Sequence, residues 1–132
     1  MSTTNTTIVK ALKAGAIAGV IGAGANNLWS LIAGALGATI PPGFFIAIIM
    51  SSIFPVIIGS LIFFGLVKLT SKGTMIWYIV GIGFTLFSFY PVFNTPQLPD
   101  GTLLDSTFPL LAGPMHAISG FLATWGIPKW SK

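Results

Sequence analysis

The chain has 132 residues, of which 54% are hydrophobic and only 6% are charged. Soluble domains carry roughly 25% charged residues, so this composition excludes a water-soluble domain and predicts an integral membrane protein. The net charge of +4 comes from six lysines without any arginine, in three separated pairs, which excludes the clustered basic face of a nucleic-acid-binding protein. The chain also lacks cysteine, which excludes disulfides and cysteine-ligated metal centres.

The first two predicted elements are long apolar stretches, each sufficient for the roughly 20 residues that a helix needs to cross a bilayer. Span one covers about 8–36, and the following "GATIPPG" ends it, because Pro41 and Pro42 cannot continue a helix. Span two covers about 44–67 and has Pro55 near its centre. We expect a kink there, which neighbouring helices can tolerate.

Two further spans complete the pattern. Span three, about 75–92, is short, and we expect it to end at Pro91. Span four, about 106–127, follows the polar loop "NTPQLPDGTLLDS". The sequence therefore predicts an all-α fold, a transmembrane four-helix bundle that forms one membrane domain over 1–132.

The charges predict the orientation of this bundle. Four crossings place all six lysines on one side of the membrane and both aspartates on the other. The positive-inside rule assigns the lysine side to the cytoplasm, so we expect both termini to be cytoplasmic (N-in/C-in) in the cytoplasmic (plasma) membrane. The residues concerned are Lys10 and Lys13, Lys68 and Lys72, Lys129 and Lys132, against Asp100 and Asp105.

The N-terminal segment also has features of a cleaved signal peptide, namely a basic start and "AGA" at 33–35. Its apolar core is longer than the roughly 7–15 residues of a signal peptide, and Asn26 and Asn27 interrupt it. Cleavage would also leave three spans and break the charge pattern. We therefore expect the segment to be a membrane span.

Polar side chains within the spans gather at one depth, in the half of the membrane away from the lysines. His116, the single histidine, lies roughly ten residues, or about 15 Å, below the outer end of span four. Polar groups in a bilayer usually face the bundle interior or a cavity, so we expect a polar layer as the candidate site. Its members are Asn26, Asn27, Ser51, Ser52, Thr85, Ser88, His116 and Ser119.

The spacing of small residues predicts which helix faces point inward. His116 shares a stripe with Gly113 and Gly120, and small residues let helix backbones approach closely. We therefore expect the imidazole to face the bundle. Asn26 and Asn27 lie on adjacent stripes of span one, both rich in small residues, and the spacing does not choose between them.

Small-residue faces are also candidates for contact with a partner. Gly15 and Gly19 form a G-x-x-x-G pattern, which favours close helix packing in membranes. Together with the Gly120 face, this surface suggests a homo-oligomer or another membrane protein as partner, besides the lipid bilayer.

Three functional interpretations follow from the polar layer. In the first, the layer only stabilises the packing of the helices, by about 0.6 kcal/mol per interhelical hydrogen bond. The protein is then a non-enzymatic accessory that packs with a partner and needs no cofactor. In the second, the layer binds or transports a small ligand. The third is a redox accessory subunit that binds quinone or haem; a lone histidine without other ligands at suitable spacing is a poor metal site.

Three short motifs resemble a family of small bacterial four-span membrane proteins to which no activity is assigned. They are "GAGANNLW" in span one, "LFSFYPV" at the end of span three and "PMHAISG" in span four. The resemblance implies four helices and a shared polar site of Asn27, Ser88 and His116. This chain departs from the pattern by its doubled asparagine, so Asn26 stays an alternative.

Two other families of membrane proteins fail on individual residues. Small multidrug transporters have four spans but rely on a glutamate within the membrane, and no span here contains an acid. Rhomboid-type proteases pair the serine of G-x-S-G with a histidine on another helix, whereas "AISG" lacks the first glycine and the one histidine lies three residues away on the same helix. A serine nucleophile needs a base within hydrogen-bond reach, so we predict no enzymatic activity.

Overall fold

The computed structural model describes residues 5–94 and 97–132, and within them the chain is an all-α four-helix bundle. Four helical segments are long and apolar enough to cross a membrane, as a multi-pass membrane protein requires. The fourth, Phe108–Trp130, contains a π-helical turn between two α-helical parts. The elements are α1 (Ile8–Ala35), α2 (Phe44–Leu69), α3 (Gly73–Asn94), α4 (Phe108–Phe121), the π turn (Leu122–Gly126) and α5 (Ile127–Trp130).

The four long helices cover the predicted spans to within three residues at each end, but α3 passes Pro91, at which we expected span three to end. Pro91 lies inside α3, which continues to Asn94. Only three residues of α3 follow Pro91, so little helix depends on the hydrogen bond that the proline removes, the one to the carbonyl of Phe87. The side chain of Asn94 donates to the carbonyl oxygen of Tyr90 at 2.8 Å and closes this last turn.

The helices alternate in direction, and this brings the connections together at two ends. At one end, the backbone N–H of Thr39 donates to Thr107 Oγ1 at 2.9 Å, joining the α1–α2 and α3–α4 connections. At the other end, Thr6, Thr74 and Lys129 line one cavity. The lysine pairs therefore share one end of the bundle, as the sequence predicts, and we call it the lysine end.

Glycines let α1 and α2 pack backbone against backbone. A Cβ atom added to Gly15 would stand 2.6 Å from Ser60 Oγ, and one added to Gly19 would stand 2.9 Å from the Cα atom of Ile53. Neither distance leaves room for a side chain. The G-x-x-x-G pattern is therefore used inside the chain, between its first two helices.

The third glycine of the expected partner surface is also covered from within. A Cβ atom on Gly120 of α4 would collide with the Thr85 side chain of α3. The chain's own helices thus occupy the Gly15, Gly19 and Gly120 faces. Contact with a partner through these faces stays a prediction.

The buried apolar side chains form two clusters, one toward each end of the bundle. The cluster at the lysine end consists of Ala18, Val56, Phe63, Trp77 and Ile127. The cluster at the opposite end consists of Ala33, Ala38, Ile48, Leu111 and Met115. Between the two depths lie Asn26 of α1 and Ser52 of α2, both buried.

Candidate functional site

A buried hydrogen-bonded joint of three side chains connects three helices. Asn26 Nδ2 of α1 donates to Ser52 Oγ of α2 at 3.0 Å and to Ser119 Oγ of α4 at 2.9 Å. Asn26 and Ser52 are nearly inaccessible, at 3% and 2% exposure. The three residues lie nine, eight and eleven positions from the helix ends opposite the lysines, about 12–16 Å along each axis. Three members of the predicted polar layer are therefore in direct contact, at similar distances from these helix ends.

The carbonyl oxygen of the Asn26 amide is buried and has no hydrogen-bond partner among the described residues. Leaving a buried acceptor unsatisfied costs roughly 1–3 kcal/mol. Two of the amide's four hydrogen-bonding positions are filled by the serines, and the oxygen can accept two more. The carbonyl oxygen of Asn26 can therefore accept hydrogen bonds from a small donor.

Four other predicted members bond to the backbone of their own helices and do not reach the joint. Ser51 is also exposed on the outer surface of α2. These local bonds satisfy each polar group within its own helix, as serine and threonine commonly do in membranes. The bonds run from Asn27 to Ala23, from Ser51 to Ile48, from Thr85 to Gly81 and from Ser88 to Thr85.

His116 does not join the asparagine and Ser88, which corrects the expected arrangement. Its ring is half-buried and lies 6.0 Å from the ring of Phe89, measured between centroids. The joint instead uses Ser119, three residues further along α4. Three positions rotate a helix by about 300°, so the two side chains point in directions about 60° apart. The small-residue stripe is therefore wide enough to face both α1 and α3, and the imidazole meets α3.

Two indole N–H groups hold the backbone of the fourth span together, and the sequence analysis missed this role. Pro128 has no N–H to donate to the carbonyl of Thr124, four residues earlier. Trp77 Nε1 of α3 donates there instead, at 3.1 Å, and also approaches the Ala123 oxygen at 3.3 Å. The π turn ends beside Pro128, so this is where the span's own ladder is interrupted.

The same arrangement recurs at the other end of the fourth span. Pro114 cannot donate to the carbonyl of Leu110, and Trp29 Nε1 of α1 donates to Leu110 at 3.2 Å and to Leu111 at 3.1 Å. Neighbouring helices thus satisfy the groups that each proline leaves free. The sequence shows the two prolines, and therefore which carbonyl groups lose their usual donor. It does not show which tryptophan faces each of these carbonyl groups.

Comparisons of this chain with protein-family models, with curated proteins and with solved structures found no match. The resemblance to a small four-span family therefore stays a prediction. Within the described ranges, the structure groups no three histidine or carboxylate side chains in a way that could hold a metal ion.

Proposed function

We propose that the chain is a non-enzymatic accessory protein of the cytoplasmic membrane, with both termini inside the cell. The observation that carries this proposal is the Asn26 joint, because in it polar side chains of three helices bond to one another and hold the bundle together. Four other polar side chains of the layer bond within their own helices, and His116 lies beside Phe89. This distribution favours packing over an assembled reaction centre.

The most open helix, α3, is the surface we propose for the partner. Of its 22 residues, Gly73, Trp77 and Val92 are buried. Gly83 is exposed with open space where a side chain would stand, and Phe84 and Phe87 beside it are 72% and 70% exposed. A glycine among large side chains makes a notch that a side chain of another membrane helix can enter, as small residues do at helix interfaces in lipid.

Single cysteines test this surface without interference, since the chain has none of its own. Gly83→Cys, alkylated in native membranes with a maleimide that carries a photoreactive group and then illuminated, should cross-link to a second chain and give an adduct of defined mass. Gly24→Cys on α1 is the matched control, because Gly24 is likewise exposed with open space in front of it. Equal adducts at both positions, or none at Gly83, would argue against α3 as the contact.

A second candidate function is supported by the unpartnered Asn26 oxygen, namely the binding of a small hydrogen-bond donor in the membrane interior. Ammonium, methylammonium and urea are suitable probes. At least one should raise the melting temperature of the wild-type protein and have no effect on Asn26→Leu, while Asn27→Leu keeps the response. Stabilisation that survives in Asn26→Leu would place the binding elsewhere.

A further inference from the structure

A cavity of about 270 Å³ opens at the lysine end, far from the Asn26 joint. Five parts of the chain contribute to it: the segment before α1, α2, α3, the π turn and the C-terminal stretch. Small-molecule sites usually have volumes of roughly 300–1,000 Å³, so this cavity suits a group of headgroup size. Its lining residues are Thr6, Phe63, Thr74, Tyr78, Trp125, Pro128, Lys129 and Lys132.

A buried hydroxyl without a partner lies in the wall of this cavity. Thr6 is 1% exposed, and among the described residues nothing hydrogen-bonds its Oγ1 atom. A buried unsatisfied hydroxyl costs free energy. A polar ligand in the cavity would remove that cost by accepting the Thr6 hydrogen.

The cavity also carries two positive charges without carboxylate side chains to neutralise them. Lys129 and Lys132 line it, whereas the two acids of the chain, Asp100 and Asp105, belong to the connection at the opposite end. The Nζ atom of Lys129 lies 4.1 Å from the ring centroid of Trp125. This cation–π contact holds the ammonium beside the cavity while leaving its hydrogens free for an anion.

Three aromatic side chains also line the cavity, beside Thr74 and Pro128. Phe63 is buried at the base, while Tyr78 and Trp125 are 38% and 40% exposed at the rim. Tyrosine and tryptophan prefer the boundary between hydrocarbon and water. The cavity therefore offers a charged side to a headgroup and an apolar side to the chains below it.

We propose that this cavity binds a phosphate group, held by Lys129, Lys132 and the Thr6 hydroxyl, and that its source is the phosphodiester of an anionic phospholipid. Ammonium and hydroxyl donors are the partners that phosphate oxygens prefer. The aromatic rim is what favours a lipid over a free phosphate.

The test uses the full chain in nanodiscs of phosphatidylcholine, with unfolding followed by tryptophan fluorescence. Adding phosphatidylglycerol should raise the melting temperature in a saturable manner, and inorganic phosphate or glycerol phosphate in phosphatidylcholine should not. Stabilisation by the soluble phosphates as well would keep the phosphate site but overturn the lipid as its source. No stabilisation by any of the three would overturn the site.

Three variants distinguish the cavity from general surface charge. Lys129→Gln should weaken the apparent affinity for phosphatidylglycerol about tenfold, and Lys72→Gln, an exposed lysine at the same end outside the cavity lining, should leave it unchanged. Thr6→Val should keep or raise the melting temperature without anionic lipid, yet reduce the lipid response. Equal losses in the two lysine variants, or an unaltered response in Thr6→Val, would contradict the proposed site.

Discussion

Trp77 on α3 donates its indole hydrogen to the Thr124 carbonyl at 3.1 Å, filling the position that Pro128 leaves without a donor. Trp29 does the same for the carbonyl that Pro114 leaves free. The fourth span is therefore completed by hydrogen bonds from its neighbours at two points. This dependence is specific, because each case involves a defined donor, a defined acceptor and the proline that leaves the acceptor free.

We expect Trp77→Phe to destabilise the protein more when Pro128 is present than when it is replaced. Alanine at 128 restores an N–H to the helix, so the Thr124 carbonyl no longer needs the indole. The double-mutant cycle of Trp77→Phe and Pro128→Ala should show a coupling of about 1 kcal/mol in the free energy of unfolding. Denaturant titration of the purified protein measures it.

The control for this cycle is Trp29→Phe, since Trp29 donates to Leu110 and Leu111 near the other end of the fourth span. Its effect should be additive with Pro128→Ala. Coupling of equal size in both cycles would mean that the proline acts through helix geometry and not through the indole bond.

The joint predicts which asparagine matters. Asn26→Ala should lower the free energy of unfolding by about 1–2 kcal/mol and should be non-additive with Ser119→Ala, since either change breaks the same bond. Asn27→Ala should have a small effect and add independently to His116→Leu, because the two side chains have separate partners. A strong coupling between Asn27 and His116 would restore the arrangement that the sequence alone suggested.

Two glycines should respond to alanine in opposite ways. Gly120→Ala should cost about 1–3 kcal/mol, because its new methyl group collides with Thr85. Thr85→Ala should recover much of that loss. Gly83→Ala should be neutral or stabilise the protein by up to about 1 kcal/mol, since it meets open space in a helix. Chemical denaturation of the three variants decides this, and equal losses at both glycines would contradict the packing between α3 and α4.

The proposed orientation predicts opposite labelling of the two ends. Ser71→Cys lies in the connection between α2 and α3 at the lysine end, and Thr102→Cys lies in the acidic loop. A membrane-impermeant maleimide applied to intact cells should label the cysteine at 102 and reach the one at 71 after lysis. Labelling of both from outside would refute the four-span topology.

Acid should loosen the end of the bundle away from the lysines. Hydrogen bonding to the side chain of Thr107, and then of Thr39, holds the pKa of Asp105 below its usual range. Because the pKa is lower in the folded state, the stabilisation is present at neutral pH and is lost as the pH falls through the folded pKa, below about 4. The melting-temperature difference between wild type and Asp105→Ala should shrink across this window, while Ser106→Ala shows no such change.

The lysines and the lengths of the apolar runs predicted the number of helices, their approximate bounds and the end at which the charges meet. These features follow from the requirements that the bilayer places on each span separately, namely its apolar length and the charges that flank it. They can therefore be predicted from a single sequence. Pro91 misled the prediction because a proline's effect depends on how much helix follows it. In α3 only three residues follow Pro91.

Pairing between helices was beyond the sequence. The depth of Asn26 was predictable, but its choice over Asn27 depends on how α1 is rotated against α2, which Gly15 and Gly19 fix by close contact. Small residues lie on both sides of His116 around α4, so either side can pack closely against a neighbouring helix. Trp29 and Trp77 are visible in the sequence, but only the fold reveals the carbonyl groups to which they donate.

The two proline breaks have a consequence for biosynthesis. A fourth span released alone into lipid would lack the usual N–H donors to the carbonyl groups of Leu110 and Thr124, where water is scarce. Both donors, Trp29 and Trp77, precede it in the chain and leave the ribosome first. The order of translation is thus also the order in which these contacts are needed, and the last segment inserts beside helices already able to receive it.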